Sequence, residues 1–243
     1  PVINTQASGT TVCAGDNPSF TIAASGTSLT YQWQENTGSA WADITNGGVY
    51  SNATTATLNL TAAPYSMNGY QYRCVVSGTC SPSVTGTAVT LAVNSPAVVT
   101  AQPVSQTVCN GSTATFSTAA IGTNLTYQWY ADYGSGFVVL TNSTQYSGVS
   151  TPVLSVTSAN PGLNGALFQC RISTGSSCTP TVVATNNASL TVYMQPILYS
   201  QPTASTICDG GSTSFGITAT GTGLNYQWQV NTGSGFTNIT NGG

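Results

Sequence analysis

The sequence predicts an all-β chain made of tandem antiparallel β-sandwiches, and three observations carry that reading. One motif returns three times, as Leu29-Thr30-Tyr31-Gln32-Trp33-Gln34, Leu125-Thr126-Tyr127-Gln128-Trp129-Tyr130 and Leu224-Asn225-Tyr226-Gln227-Trp228-Gln229. Its Leu, Tyr and Trp alternate with polar residues, which places the large side chains on one face of a strand. Trp33, Trp129 and Trp228 stand 96 and 99 residues apart. That is too long for a solenoid unit of roughly 20–50 residues and suits an independent sandwich of about 100. Finally, short alternating stretches are punctuated by Gly, Asn, Ser and Pro without any sustained helical period, as in antiparallel all-β folds.

The repeats divide the chain into residues 1–95, 96–195 and 196–243, the third stopping after about half of its strands. Each opens on a proline: Pro1, Pro96 or Pro196. The entry segment closes at Val12-Cys13-Ala14-Gly15, Val108-Cys109-Asn110-Gly111 or Ile207-Cys208-Asp209-Gly210, with the glycine at a turn that needs a permissive backbone. The next strand sets Phe20 and Ile22 on one face, matched by Phe116 and Thr118 and by Phe215 and Ile217. A turn over 24–27 leads into the Trp strand. Phe20, Phe116 and Phe215, with Trp33, Trp129 and Trp228, are therefore the expected core anchors.

After a polar hairpin over 36–39, a short strand carries Trp41 and Ile44, and Asn46-Gly47-Gly48 marks a turn. Residues 56–60 alternate as a strand, copied at 152–156, and a looser connection spans 61–69. Tyr72, Cys74 and Val76 then share a face, as do Phe168, Cys170 and Ile172, which adds Tyr72 and Phe168 to the expected core. Arg73 and Arg171 fall on the opposite face, where a lone charge is cheap. The last strand runs over 87–93, with a copy at 188–192, and Asn94-Ser95 is the whole linker before Pro96. A linker this short predicts a semi-rigid array.

Composition then excludes most chemistry. Only 3% of the 243 residues are charged, against about 25% in an average globular protein. There is no Lys and no His, and Arg73 and Arg171 are the only basic side chains. Nothing can neutralise a phosphate backbone, so nucleic acid is excluded as a partner. The acids Asp16, Glu35, Asp43, Asp132 and Asp209 are scattered and differ between repeats; no calcium loop or carboxylate pair results. Without His there is no imidazole metal ligand and no Ser-His-Asp or Cys-His nucleophile. The chain is read as non-enzymatic, with no catalytic, metal or cofactor site and no cofactor. No apolar run reaches the ~20 residues that span a bilayer, so no membrane insertion is expected in this segment. The absence of a visible signal peptide reads as a mature or internal fragment. Tyr50, Tyr130 and Tyr133 lie near turns and are the candidate exposed contacts. The cysteines recur in register: Cys13, Cys74 and Cys80 return as Cys109, Cys170 and Cys178, and Cys208 begins a third set. In a His-free chain these seven read as structural disulfide candidates in an oxidising compartment.

The order of Trp33 on a central strand, Leu58 and Leu60, Gly69, then Tyr72 two residues before Cys74 resembles the immunoglobulin fold, with Tyr72 at the tyrosine-corner place. The wording Val-Cys-x-Gly, Leu-x-Tyr-Gln-Trp and Tyr-Arg-Cys-Val-Val-Ser-Gly-x-Cys is similar to tandem Ig-like repeats of large secreted surface proteins of Bacteroidota. That resemblance covers the whole chain and implies export and roles in adhesins or surface fibres. The sequence also departs from the antibody pattern, since the second-strand cysteine position is occupied by Ile22, Thr118 and Ile217. Phe168 stands at the tyrosine-corner place in the second repeat.

In the implied fold, Cys80 lies at the end of the sandwich opposite Cys13. Six residues of strand, roughly 20 Å when extended, argue against a Cys13–Cys80 bond, which needs Cα atoms within about 7 Å. Two schemes remain open. In one, Cys13 pairs with Cys74 and Cys109 with Cys170, leaving Cys80 and Cys178 over. In the other, Cys13 pairs with Cys178 of the next repeat, Cys109 with a later repeat and Cys80 with an earlier one, and Cys74 and Cys170 stay as buried thiols. The functional expectation is a non-catalytic structural array forming a stalk or filament on a bacterial cell surface, with other copies of the same chain as partners. The alternatives are an adhesin whose loops bind a glycan or surface protein, and a passive spacer in a larger secreted enzyme.

Overall fold

The computed structural model describes residues 1–241. Gly242 and Gly243, the last two residues of the span expected for the third repeat, lie outside the described residues. Apart from two single 3-10 turns, Tyr65–Met67 and Pro161–Leu163, the regular structure is all strand. The fold is all-β, as the alternation required.

In the first repeat the strands make two facing sheets. One runs in the order Thr10–Cys13, Val89–Asn94, Gln71–Ser77, Thr30–Asn36, Trp41–Asp43, with Val84–Thr85 added beside Gln71–Ser77. The other has the order Ser19–Thr21, Thr57–Leu60, Tyr50–Ser51. Val2–Thr5 pairs separately with Ala23–Ser25. The second repeat repeats this plan: Gln106–Cys109, Ala188–Tyr193, Leu167–Thr174, Leu125–Asp132 and Phe137–Val139 oppose Ala114–Ser117, Val153–Val156 and Tyr146–Ser147. Residues 196–241 carry two short ladders, Ile197–Ser200 with Thr218–Thr220 and Gln229–Asn231 with Phe236–Asn238.

The pairing is not wholly antiparallel. Thr10–Cys13 runs parallel to Val89–Asn94, with Cys13 opposite Asn94. Gln106–Cys109 does the same beside Ala188–Tyr193, with Cys109 opposite Tyr193. The entry segment therefore breaks in two. Its first half pairs with Ala23–Ser25, and its second half lies along the strand that leaves the repeat. Gly9 sits at that close approach, where a Cβ would lie 2.9 Å from the Thr90 carbonyl oxygen.

The cores follow the period-two pattern. Trp33, Phe20, Tyr72, Leu58 and Val76 are at most 1% exposed, and Trp129, Phe116 and Phe168 are fully buried. Phe20 stacks on Tyr72 at 4.8 Å, as Phe116 does on Phe168 at 4.7 Å. Each buried indole keeps a partner for its N–H: Trp33 Nε1 donates to the Thr55 carbonyl and Trp129 Nε1 to the Thr151 carbonyl, both at 2.9 Å. An unpaired donor in such a place would cost about 1–3 kcal/mol.

Two expected anchors are corrected. Phe215 and Trp228 are 51% and 40% exposed. The hairpin around Trp228 forms as in the first repeat: Gln227 Nε2 donates to the Trp228 and Ile239 carbonyls, as Gln32 does to Trp33 and Ile44. What buries Trp33 is the opposite sheet and the Gln71–Ser77 strand, and residues 196–241 hold no counterpart of Leu58, Tyr72 or Cys74. Burial here depends on partner strands, not on the motif.

By packing, the described chain divides into two compact units. One comprises Pro1–Gln102, Thr118–Gln128 and Cys170–Thr185; the other comprises Pro103–Ser117, Trp129–Gln169 and the remainder from Asn186. The β-ladders each stay within one sequence repeat, whereas the packing units cut across the second.

Gly148 makes a sharp local test of the backbone. It has φ +74°, and an added Cβ would lie 2.1 Å from the Val153 carbonyl oxygen. Gly165, at φ +86°, faces open space. Gly148→Ala should therefore destabilise the second repeat by more than about 1 kcal/mol, and by more than Gly165→Ala. Urea midpoints of the two variants check this, and equal midpoints would contradict the clash.

Candidate functional site at the repeat junction

The polar groups of the linker are tied down on both sides. On the first-repeat side, the Asn94 carbonyl accepts from the Ala14 N–H at 2.8 Å, continuing the parallel ladder that ends at Cys13. On the other side, the Ser95 N–H donates to Thr123 Oγ1 at 2.8 Å and the Thr123 N–H donates back to the Ser95 carbonyl at 3.1 Å. A linker of two residues thus has three backbone hydrogen bonds, which removes the rotations that make short linkers flexible. The Asp16 carboxylate accepts from the Cys13 N–H at 2.8 Å and fixes the turn beyond the cysteine.

Beside this clamp, Cys13 is joined to Cys178 by a disulfide, with Cα atoms 5.5 Å apart and 165 residues between them in sequence. The whole arrangement lies within the first compact unit. It decides between the two pairing schemes: Cys13–Cys74 is not made, because Cys74 points into the core behind Trp33 and is 1% exposed.

The second linker is tied in the same way. The Tyr193 carbonyl accepts from the Asn110 N–H at 2.8 Å, the Met194 N–H donates to Thr222 Oγ1 at 2.9 Å, and the Thr222 N–H donates to the Met194 carbonyl at 3.0 Å. All of these groups belong to the second compact unit. Sequence reading missed Thr123 and Thr222, although a signal existed. Gly-Thr stands at the same turn in each repeat, at Gly26-Thr27, Gly122-Thr123 and Gly221-Thr222. In a chain so rich in Thr, the pair does not stand out.

No family model matches the sequence, and neither does any curated protein. Solved structures do match in fold. An I-band fragment from titin superposes with a TM-score of 0.69 at 15% identity, covering 99% of this chain and 81% of the fragment. A complex of a Dpr Ig domain with DIP-gamma Ig domains gives 0.55 at 17% identity, over 78% of this chain and 97% of that one. The N-terminal four Ig domains of Dscam1 give 0.52 at 21%, over 76% and 43%. The chain has the fold of tandem Ig-like domains.

Within these Ig-like repeats the remaining site candidates sort by burial. Cys74 and Cys170 are buried free thiols, while Cys80, Cys109 and Cys208 are exposed and free. Burial pushes the Cys74 and Cys170 thiols up to about 11, because desolvation penalises the thiolate. At pH 8 a thiol alkylating reagent should label Cys80, Cys109 and Cys208 in the folded chain and spare Cys74 and Cys170. The stability that the two neutral thiols contribute is complete below the ordinary thiol value and is lost as pH rises toward about 11. Peptide mass mapping after a short pulse reads the labelling; modification of Cys74 at the rate of Cys80 would contradict it.

The tyrosines differ from expectation. The Tyr72 hydroxyl meets the Tyr50 hydroxyl at 3.1 Å, and Tyr50 donates to the Glu35 carboxylate. At the corner position Tyr72, Tyr50 and Glu35 form a side-chain trio, and burial raises the Tyr72 phenol to about 12. In the second repeat Phe168 leaves Tyr146 to bond Tyr133 instead, at 2.7 Å. Tyr50 and Tyr130 are mostly buried, whereas Tyr133 is 47% exposed. Arg73 lies 4.2 Å over the Trp41 ring and donates to Gln34 Oε1 at 2.8 Å, so its charge is covered by a π face. Among the described residues, no three His, Cys, Asp or Glu side chains lie together as a metal site would need, and no helix is long and apolar enough to cross a membrane.

Proposed function

We propose that the chain is a segment of an extracellular, non-catalytic structural array, of the stalk or filament type found on bacterial surfaces. The observation that carries this reading is the Cys13–Cys178 bond between two Ig-like repeats, set beside a linker whose backbone is held by three hydrogen bonds. A covalent tie across a repeat boundary resists separation of the two repeats, besides constraining the unfolded chain. The disulfide supports an oxidising, extracellular setting, and the bacterial placement rests on the sequence resemblance. A surface with few charges, rich in hydroxyls and amides, suits close packing of copies.

A second reading, recognition of a glycan or a surface protein, is favoured by one observation. The loops after the Gln71–Ser77 and Leu167–Thr174 strands differ in length, with six residues from Cys74 to Cys80 and eight from Cys170 to Cys178. Electron microscopy of the protein in its native setting separates the two. Regular fibres with an axial repeat of one or a few sandwich lengths support the array. Isolated threads that bind glycans or a surface protein would overturn it in favour of the second reading.

A further inference from the structure

The cysteines fall into two complementary types, and the structure shows one completed pair. The first type ends a strand that lies parallel to the outgoing strand of its repeat: Cys13 opposite Asn94 and Cys109 opposite Tyr193. Cys208 holds the same place in the third Val-Cys-x-Gly variant, Ile207-Cys208-Asp209-Gly210. The second type stands two residues before a proline in the loop after the Cys74 or Cys170 strand, as Cys80-Ser81-Pro82 and Cys178-Thr179-Pro180. The bonded pair joins one of each type, Cys13 from repeat one with Cys178 from repeat two.

The remaining members are not lone thiols, because each occupies a position whose equivalent is bonded in the same molecule. Cys109 also sits beside a linker clamp, Tyr193–Met194 with Asn110 and Thr222, that matches the clamp beside Cys13 bond for bond. Cys80, Cys109 and Cys208 are all exposed and therefore accessible to a partner, while Cys74 and Cys170 are removed from exchange by burial.

We propose that Cys80 on one side, and Cys109 and Cys208 on the other, are half-sites of the same cross-link. A strand-end cysteine of one Ig-like repeat bonds the loop cysteine of the repeat that follows it, whether in the same chain or in a second copy. The result is one disulfide per junction along the array. The inference rests on the array reading and adds its covalent chemistry. In each event two thiols lose two protons and two electrons as the S–S bond forms. A disulfide oxidant such as oxidised glutathione takes the electrons through a mixed disulfide and leaves as two thiols.

The test uses the whole chain as its own partner. The folded protein is incubated with oxidised glutathione, resolved without reductant, and its cross-linked peptides are mapped after chymotryptic digestion. The expected result is a ladder of disulfide-linked oligomers. Its cross-chain bonds should join Cys80 to Cys109 or Cys208 and should not join like to like. Cys80→Ser should abolish the ladder while the Cys13–Cys178 peptide is retained, which shows that the variant is folded. Like-with-like bonds, bonds in random proportion, or an unlinked chain carrying only glutathione would overturn the proposal. If Cys80→Ser protein still builds regular fibres under the microscope, the cross-link is overturned and the array reading stands. If the typed bonds form and no fibres do, the array reading falls and the cross-link stands.

Discussion

Trp33→Ala will remove most of the stability of the first repeat. Trp33 is fully buried, packs near Phe20 at 6.4 Å between ring centres, and donates its indole N–H to the Thr55 carbonyl. Deleting a side chain of that size costs about 3–5 kcal/mol, and the orphaned Thr55 carbonyl adds to the loss. A domain of this size has about 5–15 kcal/mol in total. The same substitution at Trp228 makes the comparison informative, since that residue is 40% exposed and its loss should cost under about 1 kcal/mol. Urea denaturation of the two variants at equal slope measures both. Shifts of similar size would mean that Trp228 is as well buried as Trp33, and would overturn the account of burial given above.

Cys13→Ser should produce the second largest effect. The bond closes a stretch of 165 residues, and a chain-entropy argument puts the constraint on the unfolded chain at about 5 kcal/mol, with measured losses of native disulfides at about 2–5 kcal/mol. Reductant should lower the urea midpoint of the wild-type chain to that of the variant and should leave the variant unchanged. Cys74→Ser, by contrast, replaces a thiol that bonds nothing covalently, and reductant should still lower its midpoint. A wild-type midpoint that ignores reductant would show that the bond carries no stability.

Much of this architecture was legible in the sequence. Alternation around Trp33 and Trp129 placed the core faces, because side-chain period is a local property of a strand. The same pattern failed for Phe215 and Trp228, because burial is decided by strands elsewhere in the chain. Nor does alternation reveal direction: Thr10–Cys13 reads the same whether its neighbour runs parallel or antiparallel, so the parallel ladder was invisible. Within the fold that the resemblance implied, strand lengths narrowed the disulfide to two schemes, but choosing between them required knowing that Cys74 points inward and that the Cys178 loop reaches Cys13. Thr123 and Thr222 were hidden by composition, since a hydrogen-bonding Thr looks like any other in a chain built from them.

The buried thiols Cys74 and Cys170 have a consequence for which pairings the folded molecule permits. Seven cysteines in one oxidising solution offer many wrong pairings. Once each sandwich has closed, its central cysteine is buried, and the 5.5 Å Cα separation of Cys13 and Cys178 belongs to the chain with both repeats folded. Folding thus narrows the choice of partners by taking Cys74 and Cys170 out of it.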